Sequence, residues 1–196
     1  MRYAAYGSNL HPLRLGRRLS SAELIGTSFM DCWSLHFHKR GKDESGKCNI
    51  INSGKGVFLA IYEISRNDKQ TLDRIEGLGF GYSERTLTIP EFDHCVTYIA
   101  DDTHIDESLV PYDWYKELVL VGAIKLGFPE SYRNQINAVA TRQDPDPVRR
   151  AESMECCRNY QSWILTVRRL RASLPSSRFL HPQQTRRILS TSERKP

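Results

Sequence analysis

Short apolar runs separated by turns rich in glycine, serine and asparagine dominate the first part of the chain, a pattern typical of strands. The run Met1 to Tyr6 predicts a buried strand, and Gly7-Ser8-Asn9 stops it in a tight turn. A short helix is predicted over His11 to Leu19, with Ser8 or Asn9 as its cap. Three further strands are predicted at Trp33 to Lys39, Cys48 to Ile51 and Val57 to Ile64.

The middle of the chain changes to a helical spacing and then returns to strands. The segment Arg66 to Ile75 predicts a helix that Ser65 or Asn67 caps, and the glycines at 77, 79 and 81 end it. Two strands bracket a turn at Pro90 to His94 and predict a hairpin-like pair. Two more helices are predicted beyond it, at Pro111 to Gly127 and Pro129 to Val139.

The character of the chain changes after Arg142. Asp144-Pro145-Asp146-Pro147 predicts a stiff polar break, because proline blocks helix continuation. A single amphipathic helix is predicted over Tyr160 to Leu170, and Ser173 to Pro196 has too few apolar residues to predict a packed structure. We therefore expect a catalytic domain at 1–148 and a basic extension at 149–196 that is partly helical or disordered.

Composition and charge narrow the class of protein. The net charge of +5 divides into −1 for residues 1–150 (19 Lys+Arg, 20 Asp+Glu) and +6 for residues 151–196 (9 Lys+Arg, 3 Asp+Glu). A basic tail on a neutral body argues against a specific nucleic-acid partner. Residues 1–10 lack a targeting pattern and no long apolar run occurs, so we expect a cytoplasmic protein without a membrane partner. The 5 cysteines contain no CxxC pair and are expected to be reduced thiols.

Two segments carry candidate chemistry. In Tyr6-Gly7-Ser8-Asn9-Leu10 a glycine directly after a strand leaves backbone N–H groups able to converge on an anion or a carbonyl oxygen. In Leu72-Asp73-Arg74-Ile75-Glu76-Gly77 a carboxylate lies at the end of a helix, where the partial negative charge of the helix terminus raises its pKa. A carboxyl group with a raised pKa is suited to transferring protons near neutral pH.

The order YGSNL, LDRIEG, Gly81-Tyr82 and Tyr112-Asp113-Trp114-Tyr115 resembles γ-glutamylcyclotransferase-like proteins from Met1 to about Val139. The resemblance implies an α+β fold with a small closed or nearly closed mixed β-barrel and flanking helices, whose ligand cavity lies at the YGSN loop. It also implies the cyclisation of a γ-glutamyl compound to 5-oxoproline with release of an amine, without a metal or organic cofactor.

The same resemblance assigns residues. Glu76 matches the general acid/base, and the backbone of Gly7, Ser8 and Asn9 would hold the γ-glutamyl head. The other expected contacts are Tyr6 and Leu10 as walls, Tyr82 and Tyr115 near the cavity, and Asn49 on a strand that lines it.

Several alternatives stay open. A non-catalytic ligand-binding protein of the same fold is the competing class, and a γ-glutamyl amine or glutathione are alternative substrates. The leaving amine, the oligomeric state and the role of residues 149–196 are not predicted. His36 and His38 alternate on a strand near Cys32 and Cys48 but do not predict a metal site. Gly77, Gly79 and Gly81 follow a helix rather than a strand, which argues against dinucleotide binding.

Overall fold

The computed structural model describes residues 1–172, with side chains to residue 159. Residues Met1–Tyr160 form one compact unit, and the second unit, Gln161–Pro196, is described only as helical to Ala172. The described strands are β1 (Arg2–Ala5), β2 (Glu23–Met30), β3 (Trp33–Arg40), β4 (Gly46–Asn52), β5 (Val57–Glu63), β6 (Tyr82–Ile89) and β7 (Asp93–Ala100). The described α-helices are α1 (Pro12–Arg18), α2 (Lys69–Glu76), α3 (Asp113–Lys125), α4 (Glu130–Asn137) and α5 (Pro147–Ala172).

Five strands form the main sheet in the order β2-β5-β1-β7-β6. β1 lies at its centre, antiparallel to β5 and parallel to β7, and three of its four residues are buried. A central strand buried in this way reads as a continuous apolar run, which is why the sequence pattern identified it. The carboxyl end of β1 consequently lies in the middle of the main sheet, and the turn at residues 7–9 follows it.

The hairpin β3-β4 forms a separate sheet of two strands. A side chain connects it to the main sheet, because Asn49 Oδ1 on β4 accepts a hydrogen bond of 2.9 Å from the backbone N–H of Ala100 on β7. A single bridge between Ser34 and Gly56 connects β3 to the start of β5. The expected barrel is therefore wrong in that its sheet does not close, since isolated contacts replace a continuous ladder at this point. The α+β class and the flanking helices are confirmed.

Local signals place two of the helices. Ser65 caps the 3-10 turn before α2, its Oγ accepting from the backbone N–H of Asp68 at 3.2 Å, as predicted. Gly77 ends α2 in the left-handed conformation with φ +75°, which glycine adopts at low cost. The predicted cap of α1 is wrong: His11 Nδ1 accepts from Leu13 N at 3.2 Å, and Asn9 instead faces the cavity described below.

Helix α5 begins at Pro147, directly after the predicted polar break, and continues to Ala172 without a separate helix at 160. Its first turns contact the body: Arg149 pairs with the buried Asp144, and Cys157 is 2% exposed beside Trp114. The compact unit thus extends past the predicted boundary at 148. The expectation for Ser173 to Pro196 lies outside the described residues. Among the described helices, none has the length and apolarity to span a bilayer.

Candidate active site

A cavity of about 310 Å³ opens where β1 ends, and we refer to it as the inner cavity. Strands β1, β4, β6 and β7 and helices α2 and α3 all contribute to its wall, because β1 is central and its carboxyl end points into it. Its lining residues are Tyr3, Tyr6, Gly7, Ser8, Asn9, Cys48, Glu76, Tyr82, Thr97, Tyr98 and Tyr115. The two segments with candidate chemistry, residues 6–10 and 72–77, therefore meet at this cavity.

Glu76 is held by two side chains that are far from it in the sequence. Tyr3 Oη donates to Glu76 Oε1 at 2.5 Å, and Asn9 Nδ2 donates to the same oxygen at 2.6 Å. Arg18 Nη1 in turn donates to Asn9 Oδ1 at 3.0 Å, which fixes the orientation of the amide. Both donors use Oε1, so Oε2 is the carboxylate oxygen that remains able to accept a proton from a ligand.

Burial in the cavity raises the pKa of Glu76 above its ordinary value, because removal from water disfavours the charged form. The hydrogen bonds from Tyr3 and Asn9 and the positive charges of Arg18 and Arg14 oppose this shift without cancelling it. The position of Glu76 at a helix terminus predicts a raised pKa, and in the structure burial is the main cause of the shift. The result is a carboxyl group that exchanges a proton more readily near neutral pH.

The residues of the turn at 7–9 line the inner cavity, and their backbone donors are unused. Leu10 N donates to Gly7 O at 3.0 Å and closes the turn, while the N–H groups of Gly7, Ser8 and Asn9 donate to no group in the described part of the chain. A Cβ at Gly7 would lie 3.0 Å from Cys48 Cβ, tighter than nearly all such contacts. Gly7 has no positive φ, so close approach to β4 is what requires glycine here.

The tyrosines around the inner cavity are fixed by backbone contacts. Tyr6 donates to the carbonyl of Tyr98, Tyr82 donates to the carbonyl of Cys48, and Tyr115 Oη accepts from Cys48 N at 3.2 Å. Burial raises the pKa of Tyr6, Tyr82 and Tyr115, so all three stay protonated. These side chains define the shape of the cavity, and Glu76 is the one carboxyl group among its lining residues.

Two of the expected contact residues lie outside the cavities. Leu10 is fully buried, and its carbonyl accepts from Tyr62 Oη at 2.8 Å. Asn49 is 1% exposed and connects β4 to β7. Neither residue is among those that line the inner cavity or the larger cavity beside it, and both side chains are buried, so their contact with a ligand stays a prediction. Sequence reasoning missed Tyr3, which lies on the predicted strand β1 but whose partner Glu76 is 73 positions away.

A second, larger cavity of about 920 Å³ adjoins the first, and we refer to it as the outer cavity. Both cavities share Ser8, Asn9, Glu76, Tyr82 and Tyr115, so the carboxyl group lies at their junction. The charged residues that line the outer cavity are Arg14, Arg18, Lys39, Lys42, Lys47, Arg74 and Glu76.

Three potential metal ligands converge elsewhere, where the polar atoms of His36, His38 and Glu107 lie within 4.8 Å of one another. His38 Nδ1 lies 2.7 Å from Glu107 Oε1, and its Nε2 lies 3.1 Å from Asn49 Nδ2. Because the Asn49 amide is a donor there, Nε2 accepts and Nδ1 carries the proton toward Glu107. Both nitrogens of His38 are therefore engaged in bridging β3, β4 and the loop at 107.

The chain resembles known proteins in sequence and in fold. Residues 56–136 match the model of the AIG2-like family. The chain is 27% identical over 146 residues to a bovine γ-glutamylcyclotransferase, covering 70% of this chain and 77% of that protein. A human γ-glutamylcyclotransferase is also 27% identical, over 148 residues and the same shares. A solved structure named γ-glutamyl cyclotransferase superimposes with a TM-score of 0.70 at 22% identity, covering 81% of this chain and 98% of the other.

Proposed function

The chain is γ-glutamylcyclotransferase-like, and from this premise we propose that it converts a γ-glutamyl compound to 5-oxoproline and a free amine, with Glu76 as general acid/base. The observation that carries the proposal is the position of Glu76 between the two cavities. A group there can reach both the α-amino group of a γ-glutamyl head and the nitrogen that leaves.

The turn at residues 7–9 is the proposed holder of the γ-glutamyl head. Its three residues line the inner cavity, and their N–H groups have no acceptor in the described protein. A carboxylate or carbonyl oxygen of the substrate can accept hydrogen bonds from such donors. The substrate's γ-amide then lies at the junction beside Glu76, and its leaving group extends into the outer cavity.

The proposed reaction balances with this one carboxyl group. Glu76 Oε2 removes a proton from the substrate's ammonium group, and the freed amine attacks the γ-carbonyl carbon to form the five-membered lactam. The bond between that carbon and the leaving nitrogen breaks as Glu76 returns this first proton to the nitrogen. The attacking nitrogen loses a second proton as it becomes the lactam nitrogen, and Glu76 passes that proton to the released amine. Of the three ammonium protons, one stays on the lactam nitrogen and two end on the released amine. Because attack is intramolecular, the protein mainly supplies conformation and proton transfer.

The test is release of 5-oxoproline by the full chain from γ-glutamyl-alanine, with Glu76→Gln as the variant. The amide is nearly isosteric and still accepts from Tyr3 and Asn9, but it cannot exchange the proton, so turnover should fall about 10²–10⁴-fold. Glu23→Gln is the matched control, since Glu23 is exposed on β2. Binding of γ-glutamyl compounds without any 5-oxoproline would favour the non-catalytic class, and full turnover by Glu76→Gln would remove the assigned role.

A further inference from the structure

The outer cavity concentrates positive charge around a single carboxylate. Its wall brings together α1, strand β3 with the turn that follows it, the start of β4, and helix α2. The cations are Arg14, Arg18, Lys39, Lys42, Lys47 and Arg74, and the single acid in this wall is Glu76. Residues 1–150 have nearly equal numbers of acids and bases, so this excess is a property of the cavity and not of the surface as a whole.

Some of these cations already have partners. Lys47 Nζ lies 2.7 Å from Asp43 Oδ2 and 4.6 Å from the ring centre of Tyr115, and Arg18 donates to Asn9. These two side chains help to hold the wall and the acid/base group in place. Their charges remain within reach of a ligand in the cavity, but they do not by themselves require one.

The other four cations form no ion pair with the described side chains. Among them, Lys39 is the one whose side chain is most buried. It is 5% exposed, with its Nζ 3.3 Å from the carbonyl of Phe80 and 4.6 Å from the ring centre of Tyr82. Burial and the neighbouring charges of Lys47 and Lys42 lower the pKa of Lys39, and the more weakly acting carboxylates of Asp101 and Asp43 oppose this shift without cancelling it. A buried ammonium flanked by two others is costly until an anion enters beside it.

Arg14 independently indicates that the outer cavity is suited to bind an anion. Its Nε is buried and has no hydrogen-bond acceptor among the described residues, although the side chain lines the outer cavity. Lys42 and Arg74 lie at the exposed rim, with Lys42 Nζ 4.6 Å from the ring centre of Phe80. The wall of the cavity therefore combines buried donor groups of Lys39 and Arg14 with the exposed cations Lys42 and Arg74.

We infer that the outer cavity selects γ-glutamyl substrates whose leaving group carries two or more carboxylates, such as an acidic amino acid. This rests on the proposed function, because the leaving group occupies the outer cavity only if the head occupies the inner one. An uncharged amine would leave Lys39 and Arg14 without an anionic partner. A single carboxylate would satisfy the buried pair, and a second would reach Lys42 and Arg74 at the rim.

The test compares 5-oxoproline release from γ-glutamyl-glutamate, γ-glutamyl-alanine and γ-glutamyl-propylamine by the full chain. The expected order of kcat/KM follows the number of carboxylates on the leaving group, two before one before none. The advantage of the glutamate substrate should shrink between about 0.02 M and about 0.5 M salt, because exposed charges are screened. Lys42→Gln and Arg74→Gln should each reduce the preference for γ-glutamyl-glutamate over γ-glutamyl-alanine by about 3- to 5-fold.

Arg85→Gln is the matched control, because it removes the same charge from an exposed position on β6 outside both cavities. It should leave the preference unaltered. Equal kcat/KM for the three substrates, or a preference that Lys42→Gln and Arg74→Gln do not reduce, overturns the inference while leaving the proposed function standing. If none of the three substrates yields 5-oxoproline, the proposed function itself is overturned, and this inference with it.

Discussion

Replacing Arg149 by methionine is expected to destabilise the compact unit, at the lower end of the cost of breaking a buried ion pair. Asp144 has no accessible side-chain surface, and Arg149 binds it through Nε at 2.7 Å and Nη2 at 2.6 Å. Without Arg149, the Asp144 carboxylate keeps only the neutral donors Trp114 Nε1 at 2.8 Å and the backbone N–H of Asp146 at 2.9 Å. The lower end applies because Arg149 is itself 38% exposed.

Thermal unfolding at pH 7 measures this cost as a fall in Tm of several degrees. Arg149 lowers the pKa of Asp144, so the contribution of the pair is full at neutral pH and is lost as the pH falls through that lowered pKa. The difference in Tm between the two proteins should therefore begin to shrink only below about pH 4, near the ordinary pKa of aspartate. The double variant Asp144→Asn/Arg149→Met removes the stranded charge and should regain most of the stability. A single variant within 1 °C of the parent would refute the reasoning, as would a double variant less stable than the single.

Three other expectations concern the site. Glu76→Gln should have the same Tm as the parent near pH 4 and a higher Tm as the pH rises to 7, because the raised pKa of Glu76 makes its ionised form costly in the folded state. Differential scanning calorimetry measures this, and a difference in Tm that does not change with pH would contradict it. Tyr3→Phe should move the acid limb of the kcat profile to higher pH, because the carboxylate loses a donor, whereas Tyr62→Phe, which removes a buried hydroxyl bonded to a carbonyl elsewhere, should not. Gly7→Val should raise KM and lower Tm, since its side chain meets β4, while Ser8→Ala should be milder in both assays; the reverse order would assign the turn's role to the serine hydroxyl.

The elements that the sequence predicted are those decided by neighbouring residues. The cap at Ser65, the helix end at Gly77 and the buried strand before Gly7 depend on turn chemistry and on apolar runs within a few positions. Strand β2 was not predicted, because Glu23–Met30 is a half-exposed edge strand whose residues show no regular alternation. The candidate acid Glu76 was found from its place at a helix end, although burial is what shifts its pKa.

Tertiary structure decided which groups share a site. Tyr3 and Glu76 meet because the central strand and helix α2 converge on one cavity, and no local pattern links positions so far apart. The same holds for the outer cavity, whose cations come from α1, from β3, β4 and the turn between them, and from α2. Over residues 1–150 as a whole, these charges are balanced by acids elsewhere in the chain. Folding turns several of those acids to other faces and brings the cations together around one carboxyl group, a separation of charge that depends on strand order and not on composition.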